Sequence, residues 1–423
     1  MRKDLPVYIA GDALEAFLAY CRSHDLRHFA LIADHNTYQA LGATVAEALR
    51  GRGQGWDVLT ILLEGDDIIA DARYVFQVLL ALDRVPRTYL AVGSGTITDI
   101  TRFVSHRTGS HFISLPTAPS VDGFTSIGAP MVIDGVKTTI NCHGPRAVFA
   151  HLPTLCAAPR PLIAAGLGDM LAKFTSVADW ELGHLLGDET YDEGIAARMR
   201  EAAWACARRA EAIAAGAEEG IRALMEGLIE SGFCMLDFGE TRPASGYEHH
   251  ISHFWEMKLL REGRRSILHG AKVGIGVLVS AARYEAVRQM SRAEAQERLA
   301  QANLPGEAEK QGIRGAYGPI ADQILAVQAP FFEMSAEAFA SLKQRIVERW
   351  DQVQRIAASV PQASELAEWL RKAGGPTKGQ QVGLSAEEVA LGVEYAHYFK
   401  PRITVGRLAH WLGLDREGAV AQD

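Results

Sequence analysis

The sequence predicts an α/β domain with a parallel sheet, followed by an all-helical domain. Over roughly the first 150 residues, short apolar runs alternate with amphipathic helical stretches, the pattern of a parallel sheet covered on both faces. Beyond about residue 158, Ala-, Leu-, Glu- and Arg-rich stretches recur with a helical period, and strand-like alternation stops. The length, 423 residues, exceeds the ~250–300 at which one hydrophobic core stops growing. Two domains are therefore expected, 1–158 and 159–423.

Each element has its own signal. Phe29–Ala33 is an uninterrupted apolar run that ends at Asp34, and Tyr38, Leu41, Val45 and Leu49 follow at helical spacing up to Gly51 and Gly53. Val58–Leu63 is a second strand candidate, followed by a helix with Val75, Val78, Leu79 and Leu82 on one face. Tyr89–Val92 runs into Gly93-Ser94-Gly95, and Phe112–Leu115 runs into Pro116. Ligands of such sheets bind outside the carboxyl ends of the strands. In the helical part, Leu171, Phe174, Ala178 and Leu182 mark one buried face. Ser291-x-x-Glu294 and Ser385-x-x-Glu388 are capping boxes that open helices, and Gly374–Gly379 reads as a loop.

Composition narrows the class. Lys and Arg number 43 against 51 Asp and Glu, a net charge of −8, with 48% hydrophobic and 22% charged residues. This speaks against disorder and against a nucleic-acid-coating role. No stretch approaches the ~20 apolar residues of a membrane span, and the N-terminal apolar residues are broken by Pro6, Asp12 and Glu15. Five scattered cysteines without a CxxC pair suit reduced thiols in a cytoplasmic protein.

Four stretches could carry chemistry. Asp34 closes a strand, where an acid can accept both hydrogen bonds of an adenosine ribose; as an alternative it caps the next helix. Gly93-Ser94-Gly95, leading to Asp99, could bring backbone N–H groups to a pyrophosphate, although the third glycine of that pattern is missing. The loop Pro116–Gly123, with Asp122, follows a strand and so belongs to the ligand edge. The fourth stretch is the most specific: Gly166-Leu167-Gly168-Asp169 opens a helix, and four of the chain's 14 histidines fall between His249 and His269. His249 and His253 share a helical face. With His269 and a carboxylate such as Asp169 they could hold one divalent metal, with zinc, nickel and iron all compatible. The order of residues excludes an HExxH site, because His250 follows His249.

AAGLGDMLAK with Asp169, TRPASGYEHHISHFWEMKLL with His249, LHGAKVGIG with His269, and LPTAPSVDG resemble the sn-glycerol-1-phosphate dehydrogenase family, close to its bacterial members. That family lies within the dehydroquinate synthase-like and iron-type alcohol dehydrogenase superfamily. The resemblance covers roughly residues 28–285. It implies a Rossmann-like NAD-binding domain and a helical metal- and substrate-binding domain. It also implies interconversion of dihydroxyacetone phosphate and sn-glycerol 1-phosphate, with a nicotinamide cofactor and one divalent metal. By motif position the metal ligands would be Asp169, His249 and His269. Asp122 and His253 would be catalytic and touch the substrate without ligating. Gly93, Gly95 and Asp99 would line the cofactor, with Thr117 and Ser120 beside them. Asp34 stands where NAD-preferring relatives carry an acid, implying NAD(H) over NADP(H).

The substrate phosphate needs a cation, for which Arg242 is the candidate and Lys137 a weaker one; the alternative for Arg242 is a structural salt bridge. The resemblance further implies a homo-oligomer, a dimer or larger. A polyol dehydrogenase of the same fold and a dehydroquinate synthase-like cyclase are the alternatives. The chain departs from the family at Gly93-Ser94-Gly95, where three glycines are usual, at Arg102, where lysine is common, and at Val148–His151, where a strand often ends in Asp.

Overall fold

A computed structural model of the chain describes residues 5–51, 55–133 and 136–414; Gly53 lies outside them. Contacts divide the chain into two compact units, the first comprising 1–170 and 204–239, the second 171–203 and 240–423. The packing thus does not follow a single cut near residue 158. The helix Arg160–Gly187 contributes residues to both.

The first unit contains a six-stranded sheet, in the order β1-β8-β5-β4-β2-β3, with every pairing parallel. Its strands are β1 Val7–Ala10, β2 His28–Asp34, β3 Asp57–Leu63, β4 Thr88–Gly93, β5 Phe112–Pro116 and β8 Val148–His151. Strand β2 shows why the run is continuously apolar. Phe29, Leu31 and Ala33 pack on one face with the helices Ala13–Ser23 and Ala43–Gly51. Ala30 and Ile32 pack on the other face with Ala72–Ala81 and Gly95–Arg107. Successive side chains point to opposite faces and both are covered, so no polar face remains. An antiparallel hairpin, β6 Gly128–Ile133 with β7 Val136–Asn141, stands outside this sheet.

Strand order reverses between β2 and β4: from β2 the chain goes out to β3, then crosses back to β4 and on to β5. Such a switch point is where open parallel sheets bind ligands. Asp34, Gly93 and Pro116 stand at the carboxyl ends of β2, β4 and β5.

Among the described residues no strand follows His151. The helix Arg292–Gln301 starts at Ser291, whose hydroxyl accepts the Glu294 N–H. The Glu294 carboxylate binds Arg298 Nε at 3.0 Å rather than completing the box. Ser385 and Glu388 form the full reciprocal box before Ala386–Tyr395. Among the described residues no helix is long and apolar enough to cross a membrane.

Candidate active site

At the sheet edge, the Asp34 Oδ1 atom accepts the Thr37 N–H at 2.8 Å, and Thr37 returns a bond to the Asp34 N–H. The acid is therefore a helix cap at the carboxyl end of β2. Gly93 is required by packing, since a Cβ there would lie 2.6 Å from Ile97; at Gly95 it would lie 2.9 Å from Val121. Gly93 lets the helix Gly95–Arg107 start tight against the end of β4, and Gly95 lets the loop after β5 lie over that start. In that loop the Thr117 N–H bonds Gly93 O at 3.2 Å, and the Ser120 and Ser94 hydroxyls bond each other.

Arg102 accounts for one departure from the family pattern. Its fully buried guanidinium binds Asp99 Oδ1 at 2.7 Å and the carbonyls of Gly128 at 2.8 Å, Gly123 at 2.5 Å and Phe124 at 3.3 Å. The guanidinium ties 123–128 to the helix, a forked contact that the single ammonium of lysine would not reproduce. Burial pushes the Asp99 carboxyl up to about 7, against the pull of Arg102 and Lys137.

The loop ends at Asp122, whose N–H donates to Asp169 Oδ2 at 3.1 Å and whose Oδ2 accepts the Ser231 hydroxyl at 2.8 Å. Gly166 makes this approach possible, because a Cβ there would fall 1.8 Å from Pro119 O. The Asp169 carboxylate is thus oriented by the backbone of Asp122.

The second unit supplies the histidines. His249 and His253 lie on the helix Tyr247–Arg261, and His269 opens the helix His269–Gln289. The rings of His249 and His269 are 5.3 Å apart, and that of His253 is 6.2 Å from His249 and 5.8 Å from His269. Glu248, which sequence reasoning passed over, is fully buried. Its Oε1 lies 2.8 Å from His249 Nδ1 and accepts the Gly246 N–H at 2.7 Å, and its Oε2 accepts the Thr175 hydroxyl at 2.7 Å. Burial pushes this carboxyl up, but the His249 and Thr175 bonds and the Gly246 N–H leave it below the ordinary range.

Behind it, Asp179 accepts the Tyr247 N–H and the Val405 N–H at 2.7 Å and the Tyr284 hydroxyl at 2.6 Å. Burial first, then the nearby Glu248, raise its carboxyl to about 7. A Cβ on Gly246 would lie 2.6 Å from Asp179 Oδ2, and one on Gly276 would lie 2.5 Å from Glu248 O. Much of the RPASGYEHH and KVGIG motifs therefore builds a buried carboxylate network behind the imidazoles.

Asp169, His249 and His269 each offer one ligand atom, all within 4.8 Å of one another. One carboxylate oxygen and two imidazole nitrogens suit a single divalent cation with a position left for substrate. With Nδ1 of His249 on Glu248, Nε2 is the atom that would meet a cation, a carboxylate–histidine support of the kind metal sites use. The donor set fits the group. His253 instead faces Glu256 Oε2, 3.4 Å from its Nδ1, and Glu256 Oε1 lies 3.7 Å from Lys272 Nζ.

Arg242 is 3% exposed. It is held by Glu189 Oε2 at 2.6 Å and Asp179 O at 2.8 Å, the structural ion pair weighed as its alternative. Sequence reasoning also missed Lys400 and Arg402. Phe399 packs 5.3 Å from the His253 ring and 5.8 Å from that of His250. Arg402, which donates to Ser245 O at 3.3 Å, is lowered to about 10 by burial and by Arg242. Partial burial and then Arg402 lower Lys400.

Residues 8–159 match the model of the iron-containing alcohol dehydrogenase family. A Geobacillus thermodenitrificans protein named glycerol-1-phosphate dehydrogenase, NAD(P)+, is 36% identical over 92% of this chain and 88% of its own length. A Bacillus subtilis protein of the same name is 37% identical over 94% and 89%. Among solved structures, a probable glycerol dehydrogenase from Sinorhizobium meliloti superposes with a TM-score of 0.63 at 16% identity, over 98% of this chain and 97% of that one. That likeness concerns the fold alone. On the sequence relationships, the chain belongs to the glycerol-1-phosphate dehydrogenase family of oxidoreductases.

Proposed function

We propose that the chain interconverts dihydroxyacetone phosphate and sn-glycerol 1-phosphate by hydride exchange with NAD(H), using one divalent metal. The observation that carries this is the convergence of the Asp169, His249 and His269 ligand atoms within 4.8 Å, with the His249 ring held by Glu248. When bound, the cation would supply Lewis-acid polarisation of the substrate carbonyl.

The chain's own residues prepare the rest. Glu248 sets the tautomer and angle of His249, and the Asp122 N–H fixes the Asp169 carboxylate. The side chain of Asp122, anchored by Ser231, would contact a substrate hydroxyl. His253, with Nδ1 turned to Glu256, would hold the proton that the carbonyl oxygen gains on reduction. Gly93, Gly95, Thr117, Ser120 and Asp99 would line the cofactor at the switch point of the sheet, and Asp34 would read its ribose and repel a 2′-phosphate.

For the substrate phosphate, Lys400 and Arg402 fit better than Arg242. With Arg242 they place three cations in one neighbourhood, where Glu189 neutralises Arg242. An arriving phosphate would compete with Glu189, Glu240 and Asp179 for these cations and pair with them. Phe76, Leu79 and Leu80 are exposed on the helix Ala72–Ala81 and offer an apolar face that a second copy would cover; sedimentation analysis would read this homo-oligomer directly.

The test follows NADH absorbance after loading the protein with zinc or nickel. Oxidation with dihydroxyacetone phosphate and none with dihydroxyacetone supports the proposal, to be completed by a chiral assay of the product. Oxidation of the unphosphorylated ketone alone would make the chain a polyol dehydrogenase.

A further inference from the structure

We propose a second divalent-cation site in the helical unit, held by Glu309, His397 and His410. The three residues come from separate elements: the helix Glu307–Tyr317, the 3-10 turn Ala396–Tyr398 and the helix Val405–Trp411. One ligand atom of each lies within 4.8 Å of the others. His410 Nε2 is 3.1 Å from Glu309 Oε1, a separation that two ligands of one metal readily adopt at ~2.0–2.2 Å each. The His397 and His410 rings stack with centroids 4.6 Å apart.

An independent observation singles out His397. It is 1% exposed, and neither ring nitrogen has a hydrogen-bond partner of normal geometry, although the Glu394 carbonyl lies close to the ring. A buried imidazole with both nitrogens unsatisfied is costly, and a cation supplies what is missing. Burial and the neighbouring His410 and Arg407 keep this ring neutral, the form that ligates. The Tyr398 hydroxyl bonds Glu309 Oε1 and would orient the carboxylate as an outer partner or serve as a fourth ligand.

Arg407 opposes the cation. Its guanidinium is already engaged by Gln328 Oε1 at 2.5 Å and His397 O at 3.0 Å, but its charge remains near. The site is therefore expected to be weaker than that of Asp169, His249 and His269. A proton held between His410 Nε2 and Glu309 Oε1 would leave to solvent as the cation binds, with no redox change. Such a site would join three chain segments of the second unit.

The experiment is equilibrium dialysis of the stripped, full-length protein against cobalt(II), with metal per chain measured and the visible absorption recorded. Wild type should bind two ions, Asp169→Asn one, and His410→Gln and Glu309→Gln one each. Both of the last two should keep NADH oxidation unchanged. Glu309 and His410 are partly exposed, and circular dichroism checks that each variant is folded. Retention of two ions by both variants would overturn the site. So would a wild type that binds one ion and loses it in Asp169→Asn. A single ion lost in His410→Gln but kept in Asp169→Asn would support this site and refute the proposed catalytic one.

Discussion

Glu248 Oε1 and His249 Nδ1 lie 2.8 Å apart although the residues are adjacent in sequence. Neighbours on a helix do not normally face each other. They meet here because the pair occupies the first turn, where Glu248 folds back onto the Gly246 N–H. If Glu248 sets the angle of a metal ligand, Glu248→Gln should weaken metal retention by about 10–100-fold while leaving the fold intact. Dialysis against a competing chelator measures this. Asp169→Asn should lose the ion of its own site and turnover together; unchanged retention in both variants would sink the site.

Lys400 and Arg402 should govern phosphate recognition. Arg402→Gln and Lys400→Met should raise KM for dihydroxyacetone phosphate roughly 10-fold or more, the worth of a charge-assisted hydrogen bond. Rates with dihydroxyacetone should hardly move. Arg242→Ala should first lower stability, by about 3 kcal/mol, because it leaves Glu189 in a mostly buried position without its partner. Steady-state kinetics and thermal unfolding separate the two roles. A selective KM effect at Arg242 alone would reverse the assignment.

Asp34 performs two tasks that one substitution can distinguish. Asp34→Gly should cost only a few tenths of a kcal/mol as a helix cap yet raise the use of NADP(H) relative to NAD(H). The comparison is the ratio of kcat/KM for the two cofactors in wild type and variant. An unchanged ratio would leave Asp34 a cap and nothing more.

Thiol chemistry checks the core of the first unit, which holds all five cysteines. Burial pushes Cys21 and Cys206 up to about 12, so both stay protonated, and slow to react, at pH 8. Cys234 is also buried, whereas Cys142 and Cys156 are partly accessible. Ellman's reagent should therefore modify about two thiols quickly and the remaining three only on unfolding. Rapid modification of all five would contradict the packing.

How much was legible in the sequence depended on burial and on distance along the chain. Strand β2 announced itself because both its faces are covered, which forces an unbroken apolar run. The hairpin of β6 and β7 gave no such signal, with Pro130 in one strand and Lys137, Thr138 and Thr139 in the other. The cluster of histidines near His249 stood out by spacing. Asp169 was one candidate carboxylate for it, and the resemblance of its motif singled it out. Lys400 and Arg402 were invisible as site residues because some 150 residues separate them from His250, and nothing local marks the encounter. Arg102 read as a change of one cation for another, and only the coordinates reveal the four oxygens it collects.

The first unit has a schedule as well as a shape. The helix Glu218–Phe238 packs against β1 and the short helix Leu152–Cys156, and Arg222 donates to Ile9 O. Residues 171–203, which belong to the other unit, must be synthesised first. At about 5–20 residues per second, several seconds pass on the ribosome between the completion of β8 and the arrival of this helix. Throughout that interval the nascent sheet carries an uncovered apolar flank. A gene truncated after residue 158 would make that transient state permanent, so its product should depend on chaperones or aggregate.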